Sequence, residues 1–246
     1  MPLDSADPRV SLFIPCLVDQ VYPEIGLAMA NVLRRLGVQV EYDGRQTCCG
    51  QPAFNAGYRT EALQVANHFL NVFRAKGTIV APSGSCVAMV RKFYPILFKN
   101  HPREQEAAQL GPHVFEFSEF VVRRLGVTRL GAIFPRSVGF HNSCHSHREL
   151  HLQAEPLALL REVQGLQLVE LEGEPVCCGF GGLFSVKFMP ISSSMAQSRL
   201  QAFERAGAEA IVSNDPGCLM QMRKEAQARH SAVQILHLAE VLDHTI

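Results

Sequence analysis

The sequence predicts an α/β fold of two homologous Rossmann-like lobes, each built on a mostly parallel sheet. Three observations predict it. Short apolar runs alternate with helical periodicities along the chain, the pattern of strands joined by crossover helices. Segments of the first half recur in the same order in the second. All eight cysteines fall into two sets of four with similar spacing, Cys-x31-Cys-Cys-Gly-x35-Cys from Cys16 and Cys-x32-Cys-Cys-Gly-x38-Cys from Cys144. The lobes are read as residues 1–112 and 113–246.

Residues 10–14 form an apolar run ending at Pro15-Cys16 and read as a buried strand. After Pro23, Ile25, Met29, Val32, Leu33 and Leu36 share one helical face, and Gly37 suits the C-cap. Residues 38–42 alternate as a strand that leads into Cys48-Cys49-Gly50. Residues 58–75 repeat Ala62, Val65, Ala66, Phe69 and Phe73 on one face, and residues 78–81 read as a strand before Cys86 and a further helix. The polar stretch 100–112, with two prolines, reads as a connector, and 116–125 as a short helix. In the second half, strands are expected at 138–141, 166–171 and 209–213, and helices at 145–163, at 195–206 and from Cys218. Residues 232–242 supply a last strand and helix.

The repeat is tied to the cysteines. Ile79-Val80-Ala81-Pro82-Ser83-Gly84-Ser85-Cys86 aligns without a gap on Ile211-Val212-Ser213-Asn214-Asp215-Pro216-Gly217-Cys218, and Arg91-Lys92 falls on Arg223-Lys224. Every cysteine group follows a predicted strand. The thiols of each half are therefore expected at one edge of its sheet, where ligands of such folds gather.

Hydrophobic residues make up 47% of the 246 and the formal net charge is zero, which speaks against a nucleic-acid partner. Residues 1–10 lack the basic and apolar regions of a signal peptide, and apolar runs such as 87–90 and 96–98 are too short to span a bilayer. A cytoplasmic location is expected, where cysteines serve metal or redox chemistry more often than structural disulfides.

Four thiols per half, Cys16, Cys48, Cys49 and Cys86, then Cys144, Cys177, Cys178 and Cys218, match the usual complement of a four-iron cluster. Zinc also takes four thiolates, but no Cys-x-x-Cys knuckle occurs. A thiol–disulfide enzyme would use a vicinal pair without the outlying cysteines. Cys86 and Cys218 sit at apparent helix starts, where the dipole favours thiolate. Gly50, Gly179, Gly181 and Gly182 permit close approach of backbone to a cofactor, and Phe54, Phe180 and Phe184 are candidates to screen it from water. His141, His145, His147 and His151 crowd around Cys144, with His145 the strongest candidate ligand or proton carrier beside a simpler reading as solvated or capping groups. Arg59 and Lys187 are candidates to attract an anionic partner or substrate beside the simpler reading as solvated charges, and Ser83 and Asp215 read as helix caps rather than ligands.

The repeated Cys-Cys-Gly pattern resembles the duplicated cysteine-rich domain of the heterodisulfide reductase B subunit and of the iron–sulfur subunits of glycolate and glycerol-3-phosphate oxidising enzymes. Cys177-Cys178-Gly179-Phe180-Gly181-Gly182-Leu183-Phe184-Ser185-Val186-Lys187-Phe188, Asp215-Pro216-Gly217-Cys218-Leu219-Met220 and His237-Leu238-Ala239-Glu240-Val241-Leu242 resemble the lactate-utilisation iron–sulfur subunits. That resemblance implies [4Fe-4S] clusters, one per half, and a cytoplasmic subunit of a system oxidising L-lactate to pyruvate, with a ferredoxin-type iron–sulfur subunit among its partners. Where the broader family has Cys-x-x-Cys, Ser83 and Asp215 replace the first cysteine, so the resemblance leaves cubane and incompletely ligated clusters open. A heterodisulfide or thiol–disulfide reductase and a zinc-stabilised scaffold are the alternative readings.

Overall fold

A computed structural model describes residues 9–171 and 176–245; residues 1–8, on which the signal-peptide reading mostly rests, lie outside the described residues. Strands Arg9–Leu12 (β1), Gln39–Tyr42 (β2), Ile79–Ala81 (β3) and Val114–Glu116 (β4) form one sheet in the order β2-β1-β3-β4. Strands Ser137–His141 (β5), Gln167–Val169 (β6), Ala210–Ser213 (β7) and Gln234–His237 (β8) form a second in the order β6-β5-β7-β8. Every strand pair is parallel, and the two orders are the same order repeated. The α/β class and the duplication are thus both seen directly.

The helices carry the cysteines or brace them. Cys16–Gln20 (α1) follows β1, and Pro23–Arg35 (α2) starts with proline at a position where no amide hydrogen is needed. Gln51–Asn55 (α3) and Arg59–Phe73 (α4) follow the first Cys-Cys pair, and Gly84–Ala88 (α5) carries Cys86. A π-helical turn, Met89–Phe93, and Tyr94–Leu97 (α6) continue it. In the second lobe Cys144–Arg148 (α7), Ala154–Arg161 (α8), Phe184–Lys187 (α9), Met189–Arg205 (α10) and Pro216–Ala228 (α11) take the corresponding places, and Leu238–Asp243 (α12) ends the chain's secondary structure.

Two sequence expectations are corrected, and one strand appears that the sequence reading did not predict. The polar stretch 100–112 is not a bare connector: it contains the helix Glu104–Leu110, which buries Ala107 and Leu110 and is tied to α4 by Arg103 Nη1 donating to the Asn67 carbonyl at 3.0 Å. The strand β4 just beyond it is only three residues long, too short to show alternation, yet it completes the first sheet. The single helix expected over 145–163 is two helices; His151 turns left-handed at φ +54 between them, and Pro156 cannot sit in a continuous helix interior.

The lobes share one apolar core. Val10, Met29 and Val32 pack with Val138, Leu159, Val212 and Leu238 across the two halves. The last helix, α12, lies on α2 of the first lobe, where Asp243 accepts from Asn31 Nδ2 at 2.9 Å and from Arg35 Nη1 at 2.8 Å. Arg123 Nε, in the segment that follows β4 of the first sheet, donates to Glu155 on α8 at 2.6 Å. Among the described residues no helix is long and apolar enough to cross a membrane.

Candidate metal centres

The carboxyl ends of the parallel strands deliver the thiols. Cys16 follows β1, Cys48 and Cys49 follow β2, and Cys86 follows β3; Cys144, Cys177-Cys178 and Cys218 follow β5, β6 and β7. In the first lobe the neighbouring Cys16 and Cys49 thiols stabilise a thiolate on Cys48, and Cys49 is coupled in the same way to Cys48 and Cys86. In the second lobe the Cys144 and Cys178 thiols stabilise a thiolate on Cys177, and Cys178 Sγ lies 3.0 Å from Cys218 Sγ. Each quartet is thus one continuous sulfur contact network. Cys49, Cys86, Cys178 and Cys218 are buried, and the other four are half-buried.

The strongly acidic thiols are Cys48 and Cys177, in the two Cys-Cys-Gly loops. Hydrogen bonds from Cys16, from Cys49 and from the Gly50 amide, whose nitrogen is 3.3 Å from the sulfur, pull Cys48 down to about 3. Those from Cys144, Cys178 and the Gly179 amide, also at 3.3 Å, pull Cys177 down to about 2. At the start of α11, the Cys178 hydrogen bond lowers Cys218, but burial and the Asp215 and Cys177 charges outweigh it and leave Cys218 raised. Three donors converging on one sulfur dominate over a helix end.

Gly50 and Gly179 adopt φ of +85 and +82, which side-chain-bearing residues rarely adopt. A Cβ at Gly179 would sit 2.7 Å from the Ser192 carbonyl oxygen of α10, and one at Gly50 would sit 3.3 Å from the Ala62 carbonyl oxygen of α4. These two glycines let the loop press on a helix while presenting an amide to sulfur. A Cβ at Gly181 would meet Phe184 at 2.9 Å, whereas Gly182 faces Pro52 of the other lobe at 3.7 Å.

The remaining candidates fall into place as follows. Ser83 Oγ accepts from the Cys86 amide at 3.3 Å, and Asp215 Oδ1 accepts from the Gly217 amide at 3.0 Å, so both cap helices. Asp215 Oδ2 also accepts from the Ser85 amide of the first lobe at 2.7 Å, joining the two sites. His145 lies half-buried between them, its Nδ1 3.6 Å from Cys144 Sγ and its Nε2 3.3 Å from the Gln51 amide nitrogen. His147 is half-buried and His151 exposed. Phe54 is buried, with exposed Arg59 stacked on its ring at 3.8 Å; Phe180 and Phe184 are half-buried, and Lys187 is exposed.

Of the four histidines around Cys144 the buried one is His141, whose ring nitrogen lies within 4.8 Å of the sulfurs of Cys178 and Cys218. Its Nδ1 accepts from Arg199 Nε at 3.2 Å; burial and the guanidinium charge push it down to about 3, so it is neutral. Arg199 stands on α10, far from Cys144 in sequence, and only aligning the two halves residue by residue would have singled it out. Chemically, four thiols per lobe, one of them strongly acidic and amide-bonded, form a soft donor set suited to iron–sulfur clusters or zinc. Nε2 of His141, which has no hydrogen-bond partner among the described residues, is a further polar atom in a buried environment.

Comparison with known proteins agrees with this arrangement. A family model described as "CCG: Cysteine-rich domain" matches residues 10–91 and again 138–223. Lactate utilization protein A of Halalkalibacterium halodurans is 42% identical over 96% of this chain and 97% of its own length. Lactate utilization protein A of Bacillus subtilis is 40% identical over 96% and 99%. A solved structure of glutamate racemase isoform RacE1 from Bacillus anthracis overlays at TM-score 0.34 with 14% identity, covering 98% of this chain and 80% of that one, too loosely to inform function. The chain therefore belongs to the CCG cysteine-rich domain family, in duplicate, and within it to the family of the lactate utilization A proteins.

Proposed function

We propose that this protein is an iron–sulfur electron-transfer subunit of a multi-subunit system that oxidises L-lactate to pyruvate, working in the cytoplasm beside a partner that carries ferredoxin-type clusters. Cys16, Cys48, Cys49 and Cys86 would hold one [4Fe-4S] cluster, and Cys144, Cys177, Cys178 and Cys218 the other. The observation that carries the reading is the gathering of four thiols beyond the strand ends of each lobe, with Cys48 and Cys177 already acidic enough to be thiolates. The names of the relatives supply the substrate class.

Bound clusters supply reversible one-electron storage. The chain's own residues do the rest. The Gly50 and Gly179 amides direct hydrogen bonds at sulfur, and the packing around Cys49 and Cys178 keeps water away. No dinucleotide or phosphate-binding loop accompanies the cysteines, so hydride removal from lactate is assigned to a partner.

The test is to purify the chain without oxygen and measure iron, acid-labile sulfide and zinc. Iron with sulfide, and visible absorption that bleaches with dithionite, is the expected result. Stoichiometric zinc without sulfide would establish the scaffold instead, and a cycling Cys-Cys disulfide in metal-free protein would establish a thiol–disulfide reductase.

A further inference from the structure

The two sites correspond residue by residue, with one break. Gly50 rests on Ala62 and Val65 of α4, and Gly179 rests on Ser192 and Met195 of α10, which fixes how the two helices align. Continuing that alignment places Arg199 on Phe69 and Phe203 on Phe73. On the strand side, three residues before Cys144 and Cys16, His141 falls on Phe13. The first lobe fills these positions with an aromatic cluster: Phe13 meets Phe69 edge-on with centroids 4.9 Å apart and Phe73 at 5.6 Å. The second fills them with His141 bonded to Arg199, whose guanidinium lies over Phe203 at 4.4 Å.

This exchange is costly unless it does something. Burying an imidazole and a guanidinium where three phenyl rings suffice carries a desolvation penalty. Moreover, His141 Nε2 is buried and has no hydrogen-bond partner among the described residues, which leaves a desolvated donor unpaid. The tautomer follows from the donor. An arginine N–H can only donate, so Nδ1 offers its lone pair and the ring proton of the neutral imidazole sits on Nε2. A metal-ligating Nε2 would need the proton on Nδ1, which could not then accept from Arg199. The arrangement therefore describes a donor to sulfur and not a ligand to metal.

Resting on the iron–sulfur reading above, we infer that His141 Nε2 donates a hydrogen bond to a sulfur of the second-lobe centre, that Arg199 is its positioning residue, and that the second-lobe centre has the higher reduction potential. A hydrogen bond to sulfur stabilises the more negative, reduced state, and the buried guanidinium adds to it. Phe13 and Phe69 offer the first-lobe centre neither. An electron entering the protein settles on the second lobe, so the two centres form a sequence with a direction.

The experiment is a redox titration followed by electron paramagnetic resonance on the whole cluster-loaded chain, comparing wild type with His141→Leu and His141→Gln. Wild type should reduce in two steps. His141→Leu should lower the upper step by at least a tenfold change in the oxidised-to-reduced ratio, 59 mV for one electron, and leave the lower step in place. Glutamine, which keeps an N–H, should recover part of the shift. In parallel, wild type labelled with 15N-histidine should show a weak, through-hydrogen-bond nitrogen coupling in pulsed spectra. An unmoved upper step with unchanged iron content, a strong coupling that marks direct ligation, or no coupling at all overturns the inference while leaving the clusters intact. Should His141→Leu fail to fold, the same spectra of labelled His145→Gln, which lacks the other imidazole beside a second-lobe sulfur, decide: the coupling persists if it belongs to His141 and vanishes if it does not. Wild type devoid of iron and sulfide overturns this inference and the electron-transfer reading together.

Discussion

Cys178 and Cys218, forty positions apart in the chain, place their sulfurs 3.0 Å from each other, and both are buried. No local motif could do this. One thiol follows β6 and the other opens α11 after β7, strands that flank β5 in a parallel sheet and so end on the same edge. The site is a product of topology, and its stability rests on the few residues that pin loops and helix starts to that edge.

Asp215 is one such pin. It caps α11 and also accepts the Ser85 amide across the lobes. Asp215→Ala is expected to cost about 2–3 kcal/mol, a cap of about 1 plus a charged hydrogen bond of about 1.5–3 that partly overlaps it. Ser83→Ala, which loses one neutral cap bond, should cost about 1 kcal/mol. Urea denaturation of the metal-free chain checks both. Equal losses would show that the cross-lobe bond contributes nothing.

Gly179→Ala is expected to destabilise by about 3 kcal/mol, combining left-handed strain of about 1–2 kcal/mol with a forced shift away from the Ser192 carbonyl. Gly207→Ala shares the positive φ, at +80, but meets nothing within 4 Å, and should cost only about 1–2 kcal/mol. The pair of melting curves separates strain from collision.

His237 caps α12 by accepting the Ala239 amide at 3.0 Å, and burial pushes its pKa down to about 3. Folding thus requires the neutral ring. Below the ordinary value of about 6.5 the unfolded chain takes a proton that the folded chain refuses, so its contribution falls as pH drops from 6.5 towards 3, by about 1.4 kcal/mol per unit. At pH 5.5 wild type should have lost about 1 kcal/mol more, relative to pH 7.5, than His237→Asn, which keeps a capping oxygen without a titrating ring. Parallel denaturation curves at the two pH values measure it.

Much of this was legible in the sequence, for reasons that can be named. The Ile79–Cys86 and Ile211–Cys218 match stands for one strand–cap–helix unit used twice. The aligned Arg91 and Arg223 make the same ion pair in each lobe, to Glu119 at 2.7 Å and to Glu240 at 3.4 Å. Caps at Ser83 and Asp215 follow from residue type alone. Other features have no local signal. β4 is three residues long, and the helix Glu104–Leu110 buries only Ala107 and Leu110, too few to set a period. The acidity of Cys48 and Cys177 depends on thiols arriving from other strands, and the His141–Arg199 pair links a strand end to a helix 58 positions away.

The central claim, one cluster in each lobe, is tested most directly by counting iron and acid-labile sulfide per chain in anaerobic wild type, Cys48→Ser and Cys177→Ser. About eight of each are expected in wild type and about four in either variant, since each cluster takes four irons. A wild type with no sulfide, or single variants that keep the full complement, would contradict it.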